Sequence, residues 1–214
     1  MKNLDQKGVN HEINFWKTFV KSERFLQGWV SQEKTPELNQ IVYMFINTLN
    51  PEEVLDLGSG PVSILNGTFP KEKITTCDPL SQLYQEIFPF STYGITPPED
   101  YPCEELPEEW TGRFPLVHMS NALDHTRSPQ EALQSLTRVC RADGHIIIQG
   151  FTNEAVHENY QGFHQWNLRL EGNDLMIGSK NKETRYIPQA EVLLAHTEKC
   201  FNGRDWFIWI LKKI

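Results

Sequence analysis

The chain has 214 residues, 39% of them hydrophobic and 22% charged. That is a length for one domain and an apolar fraction that excludes wholesale disorder. Lys and Arg number 20 against 28 Asp and Glu, for a formal charge of −8; with no Lys/Arg-rich run, the basic face of a phosphate-tracking nucleic-acid binder is not expected. The longest apolar run, residues 41–46, is far short of the roughly 20 that cross a bilayer, so no membrane partner is expected.

Residues 1–10 are polar, and the reading is of a cytoplasmic chain without a signal peptide. The four cysteines, Cys77, Cys103, Cys140 and Cys200, form no CxxC pair. This removes zinc-ribbon and thioredoxin-like classes and suits a reduced compartment. No metal is expected.

Residues 1–50 read as a helical cap. Ile13, Phe15, Trp16, Phe19, Val20, Phe25 and Leu26 recur at near-helical spacing. Thr35-Pro36-Glu37 reads as an N-cap with proline in the first turn, opening a helix to about Thr48 that Asn50-Pro51 breaks. The cap aromatics are expected to pack on a sheet, with Trp29 a secondary candidate for a substrate pocket.

From Glu53 short strands alternate with helices. Strands are predicted at 54–57, 73–77, 114–119 and 145–149. Between the last two, Ser128, Pro129 and Glu131 form a capping box opening a helix that Gly144 follows. Such alternation implies right-handed crossovers and a mostly parallel sheet, with residues 51–150 as its ligand-binding half. Residues 151–214 form the remainder of one domain. A hairpin-like region spans 168–187, residues 188–195 read as a helix, and Asn202-Gly203 joins a strand near 196–201 to a closing antiparallel strand at 205–212, buried on both faces.

The most informative segment is Val54-Leu55-Asp56-Leu57-Gly58-Ser59-Gly60-Pro61. A strand running into two glycines lets the backbone turn tightly and approach a ligand. A dinucleotide fingerprint wants a third glycine or alanine where Ser63 stands, and would set pyrophosphate beside Asp56. A cationic ligand without phosphate, such as S-adenosylmethionine, suits that carboxylate better. Asp78 ends the next strand, 20 residues past Gly58. It is either a helix N-cap or an acceptor for both ribose hydroxyls of an adenosine.

With these residues in place, the segment 53–150 resembles the class I S-adenosylmethionine-dependent methyltransferases, in particular their type 11-like small-molecule branch. Residues 54–61 resemble the first motif, Thr76-Cys77-Asp78-Pro79-Leu80 the second, Cys103-Glu104-Glu105-Leu106-Pro107 the acidic segment beside adenine, residues 116–124 the fourth-strand motif, and residues 136–145 the helix-to-strand turn. Pro61-Val62 and Pro102 depart from the pattern. The resemblance implies a Rossmann-like α/β fold: a mostly parallel seven-stranded sheet with helices on both faces. It further implies S-adenosyl-L-methionine as cofactor. Asp56, Gly58, Ser59 and Gly60 would hold its methionine end, Asp78 and Pro79 the ribose, and Cys103 and Glu104 the adenine. Ser120 and Asn121 would lie beside the methyl donor.

On the acceptor side, His125 and His164 are the candidate bases, histidine being the default proton acceptor near neutral pH. Asn153, Glu154, His157, Trp166 and Asn167 follow the last parallel strand and combine hydrogen-bonding groups with an aromatic platform. These suit a sugar or polysaccharide precursor hydroxyl, or alternatively a small amine through ion pairing and cation–π contact. The expected partner is therefore a small-molecule methyl acceptor, with monomer and homodimer both open. A catalytically silent scaffold that binds S-adenosylmethionine and an NAD-dependent oxidoreductase remain as rivals.

Overall fold

A computed structural model describes residues 5–31, 38–200 and 203–214. Its strands are β1 (Val54–Leu57), β2 (Ile74–Cys77), β3 (Phe114–Ser120), β4 (Cys140–Phe151), β5 (Asn167–Glu171), β6 (Asp174–Gly178), β7 (Glu183–Tyr186), β8 (Ala190–Lys199) and β9 (Asp205–Lys213). The helices are α1 (Gln6–Phe19), α2 (Glu23–Phe25) running into a π turn at Leu26–Val30, α3 (Gln40–Leu49), α4 (Ser81–Ile87), α5 (Phe90–Tyr93), α6 (Pro129–Val139) and α7 (Glu154–His157). None is long and apolar enough to cross a membrane among the described residues.

Six strands form the main sheet in the order β2-β1-β3-β4-β9-β8. β1 lies parallel to β2 and β3, and β3 to β4, while β9 is antiparallel to both β4 and β8. Only β9 therefore runs against the rest. The period-two alternation of strand side chains sends residues to two helical layers. Leu55, Leu57, Val117, Met119, Ile146, Ile148, Phe207 and Trp209 meet Ala132, Leu133, Leu136 and Val139 of α6. Val54, Leu116, Ile147, Ile208 and Ile210 meet Val42 and Ile46 of α3 on the other side. A second, antiparallel sheet, β5-β6-β7, packs Leu168, Leu175 and Ile177 against the α6 side.

Four expectations are corrected. The sheet has six strands rather than seven: beyond β2 the chain makes a single parallel bridge, Cys77 to Glu99. Pro97 and Pro98 precede it, and proline has no N–H to give a ladder. The helix predicted to run toward Gly144 stops at Val139, because Cys140 already pairs with Phe114, and the ladder slips at a bulge before resuming at Leu116 and His145. Residues 190–195 are strand β8 instead of helix, since pairing with β9 along its whole length, from Ala190↔Lys213 to Lys199↔Asp205, overrides a helix-prone composition.

Finally, the cap aromatics pack away from the sheet. Trp16 and Phe25 form a cluster with Val62, Leu80, Tyr84, Phe88 and Phe90, which seats α1 on α4 and on the loop after β1. The cap and turn expected at Thr35-Pro36-Glu37 and Asn202 lie outside the described residues; α3 itself is capped by Asn39, whose side chain accepts from the Ile41 amide.

Candidate active site

A cavity of about 690 Å³ opens where β1, β2, β3 and β4 end. This is the carboxyl edge at which open α/β sheets bind ligands, and the size falls within the range of small-molecule pockets. Asp56, Gly58, Ser59, Gly60, Asp78, Pro79, Cys103, Glu104, Ser120 and Asn121 all line it, with His125, His164, Glu154 and Trp29.

The floor is the turn after β1. Gly58 and Gly60 both have φ +63°, a left-handed conformation that side chains other than glycine rarely adopt. The amides of Gly58 and Ser59 donate to the Cys77 carbonyl at 2.8 and 3.3 Å, tying the turn to the end of β2. A Cβ on Gly58 would stand 2.3 Å from that of Ala122, and one on Gly60 would stand 2.5 Å from the Trp16 ring. The space glycine leaves at position 60 is thus filled by the α1 indole, which closes the cavity over the turn.

Asp78 is buried, accepting from the Gly60 amide (3.0 Å) and the Leu80 amide (2.9 Å). Burial pushes its carboxyl up from 3.8 to about 6, against those two hydrogen bonds, which favour the charged form. A carboxylate has about four lone-pair sites, so acceptor capacity remains for a ligand hydroxyl. Asp56 differs. It is 1% exposed, and its oxygens accept from Ser63 Oγ at 2.5 Å and meet His118 Nδ1 at 2.7 Å. His118 Nε2 in turn lies 3.0 Å from Gln149 Nε2, and Trp206 Nε1 donates to Gln149 Oε1 at 3.3 Å. The Asp56 side chain is therefore held by a buried chain crossing β1, β3 and β4. Nothing in the sequence reading pointed to His118 or Gln149, although both sit on the face of their strands that Asp56 shares.

Glu104 accepts from the amides of Arg127 (2.7 Å) and Ser128 (3.2 Å), so it anchors the entry to α6 while lining the cavity. Burial pushes the Cys103 thiol far above its ordinary value, keeping it neutral. Asn121 turns with φ +50°, its amide donating to the Gln149 carbonyl at 2.8 Å and its Oδ1 accepting from the Phe151 amide at 3.2 Å.

At the other end of the cavity, His125 and His164 come together from positions 39 residues apart, with Nε2 of the first 3.0 Å from Nδ1 of the second. Asp124 Oδ2 lies 2.8 Å from His164 Nδ1 and 3.5 Å from His125 Nε2, while Glu12 of α1 lies 3.8 Å from His125 Nδ1. Burial disfavours charge on His125, but the carboxylates of Asp124, Glu12, Asp78 and Glu158 together outweigh it and raise its pKa. His11, Glu12, Glu158 and Phe163 also line this end.

Of the five substrate candidates only Glu154 lines the cavity, and its carboxylate is paired with Arg204. Asn153, His157, Trp166 and Asn167 stand outside the lining. Trp166 Nε1 donates to the Thr126 carbonyl at 2.8 Å, and Asn167 bridges the Val156 amide and the Tyr160 hydroxyl, both at 3.0 Å. Those two side chains brace the loop that carries His164.

No protein-family model matches the chain, and no curated protein matches it in sequence. Solved structures do share its fold. A S-adenosylmethionine-dependent methyltransferase from Clostridium acetobutylicum ATCC 824 superposes with a TM-score of 0.53 at 11% identity, over 96% of this chain and 98% of that one. The 1,6-didemethyltoxoflavin-N1-methyltransferase of Burkholderia thailandensis, solved with 1,6-didemethyltoxoflavin and S-adenosylhomocysteine, gives 0.53 at 14% over 100% and 92%. The N-methyltransferase NodS of Bradyrhizobium japonicum WM9 gives 0.54 at 8% over 81% and 93%. The chain shares the fold of these methyltransferase structures.

Proposed function

We propose that this chain is an S-adenosylmethionine-dependent methyltransferase acting on a small-molecule acceptor. The observation that carries the reading is a single cavity lined at one end by the glycine turn and Asp78 and at the other by the His125–His164 pair. The donor set suits the cofactor: hydroxyl acceptors at Asp78, a close-approach turn at Gly58–Gly60, and no cationic phosphate clamp among the residues assigned to it. When bound, S-adenosylmethionine supplies a methyl group on a positively charged sulfur. Gly58, Ser59 and Gly60 would hold its methionine end, Asp78 its ribose, and the Cys103–Glu104 segment its adenine, with Ser120 and Asn121 between them and the acceptor. Asp56 would brace the turn from beneath through its contacts with Ser63 and His118.

Catalysis of this kind rests on alignment and on excluding water. Phe15, Trp16, Phe19, Trp29 and Phe163 supply an apolar wall for both. An acceptor that must lose a proton would lose it toward the His125–His164 end, where carboxylates stabilise positive charge. The sugar hydroxyl expected from Asn153, His157, Trp166 and Asn167 loses the residues that motivated it, so the acceptor class rests on the groups that do line the cavity. Two fold relatives are named N-methyltransferases, which keeps a small amine as a second reading, favoured here by Glu12 and Glu158 in the wall.

Parallel calorimetric titrations with S-adenosylmethionine, S-adenosylhomocysteine and NAD test the proposal. Binding of the adenosyl compounds alone is expected; binding of NAD alone would replace the reading with an oxidoreductase. Tight cofactor binding with no transfer to any acceptor in a broad hydroxyl and amine screen would favour a silent scaffold.

A further inference from the structure

We infer that Asp124, His125 and His164 form a binding site for one divalent transition-metal ion, which holds an oxygen of the acceptor; the second clause rests on the methyltransferase reading, the first does not.

Three ligand atoms converge: His164 Nδ1 to Asp124 Oδ2 is 2.8 Å, His125 Nε2 to His164 Nδ1 is 3.0 Å, and His125 Nε2 to Asp124 Oδ2 is 3.5 Å. Ligands about 2.0–2.2 Å from one ion stand about 2.8–3.6 Å from each other, the limits being an octahedral and a tetrahedral edge. All three sides of the triangle fall in that window. Hydrogen bonding serves the triangle poorly. One proton on His164 Nδ1 can be given to Asp124 or to His125, but not fully to both. Without it, a nitrogen lone pair faces a carboxylate oxygen. An ion satisfies all three atoms at once.

The surroundings match a metal site. Ligating imidazoles use their second nitrogen on a carboxylate or carbonyl. Glu12 Oε2 stands near His125 Nδ1, at 3.8 Å and so beyond hydrogen-bond distance, and the ligand atoms of His11 and Glu158 lie with one of His164 within a 4.8 Å span. The carboxylates of Asp124, Glu12 and Glu158 offset the charge of a divalent ion. Two imidazoles and a carboxylate suit zinc, iron or cobalt rather than magnesium or calcium. Three protein ligands leave positions open, the arrangement of catalytic rather than closed structural sites. Because His125 and His164 line the cavity, the open positions face the acceptor. A hydroxyl taken up there releases its proton to water more readily, as bound water does when a metal lowers its pKa to about 7. The histidine pair would then act as ligands, with the acceptor's proton leaving to water and not to an imidazole.

The test uses full-length protein stripped with chelator, titrated by calorimetry with Zn²⁺, Co²⁺ and Mg²⁺, and separately with S-adenosylhomocysteine. Expected are one Zn²⁺ per chain, visible d–d absorption with Co²⁺, and no comparable Mg²⁺ binding. Asp124→Asn, nearly isosteric, and His125→Ala should each weaken Zn²⁺ by more than about 100-fold, beyond what changes outside the ligand shell cause. Circular dichroism identifies any variant that fails to fold. Absence of stoichiometric Zn²⁺ binding, or affinity unchanged in folded Asp124→Asn, overturns the site; so does loss in His11→Ala and Glu158→Gln with Asp124→Asn intact, which moves the ion to the other side of His164. S-adenosylhomocysteine bound without Zn²⁺ leaves the methyltransferase reading and removes the metal. Zn²⁺ bound without S-adenosylhomocysteine affinity keeps the ion and removes the acceptor role.

Discussion

Asp78 is the residue at which the proposed cofactor end of the cavity can be tested most directly. Its folded pKa of about 6 lies above the ordinary 3.8, so between those values the folded chain takes up a proton that the unfolded chain does not. By linkage this group weakens folding as pH rises through that window. The proposed ribose contact runs the other way, because an ionised carboxylate accepts from a ligand hydroxyl better than a protonated carboxyl does. Glu12 raises the pKa, the Tyr84 hydroxyl and the Gly60 and Leu80 amides lower it, and Cys103 and His125 feel the same charge. Affinity for S-adenosylhomocysteine should therefore fall as pH drops through about 6. Asp78→Asn should bind roughly 10–100-fold more weakly, the worth of charge-assisted hydrogen bonds, and show a flatter pH profile. Calorimetry from pH 5 to 8 checks both. Gly58 makes a second prediction at this scale. Alanine there meets a left-handed φ and a Cβ 2.3 Å away, so Gly58→Ala should lower unfolding free energy by about 2–4 kcal/mol in urea titration.

At the scale of elements, helix α6 shows which signals a sequence carries locally. Ser128 Oγ accepts from the Glu131 amide at 3.3 Å, as its spacing predicts, and Glu104 reaches in from 23 residues away to take the Arg127 and Ser128 amides. Ser128→Ala should cost about 1 kcal/mol, read as a lower urea midpoint with an unchanged slope. The cap was legible because its partners lie three residues apart. The Glu104 contact was not, and the same distinction runs through the site. Gly58, Gly60 and Asp78 sit beside their strands and announce themselves. The meeting of His164 with Asp124 depends on how the loop after α7 folds back, and the Asp56–His118–Gln149 chain depends on strand order. Where local preference and pairing conflict, as in β8, pairing prevails: the ladder with β9, from Ala190 opposite Lys213 to Lys199 opposite Asp205, holds a helix-prone segment in the sheet.

For the whole molecule, the N-terminal helices are what turn an open sheet edge into a cavity. Trp16 touches the glycine turn on one side and packs against Phe25, Trp29 and Tyr84, with ring centroids 6.3, 6.1 and 5.9 Å away, on the other. Its Nε1 donates to Glu12 at 2.8 Å, the carboxylate that faces His125. One helix thus spans both ends of the cavity, and a ligand seated beneath it is expected to tighten the whole cap. On the proposed reading, S-adenosylhomocysteine at 100 times its dissociation constant would stabilise the folded state by about 2.7 kcal/mol. In a chain of this size that raises the melting midpoint by roughly 5–10 °C. The distribution of that gain is the sharper prediction. Amide exchange should slow most across α1 and the glycine turn, whose contacts the ligand completes, and least in β5–β7, which lies on the far helical layer with α6. Trp16→Ala should keep the sheet, whose core is built from other residues, yet weaken the ligand and abolish its protection of α1. Uniform slowing of exchange would instead mean that the ligand stabilises the chain globally and that the cap is no separate lid.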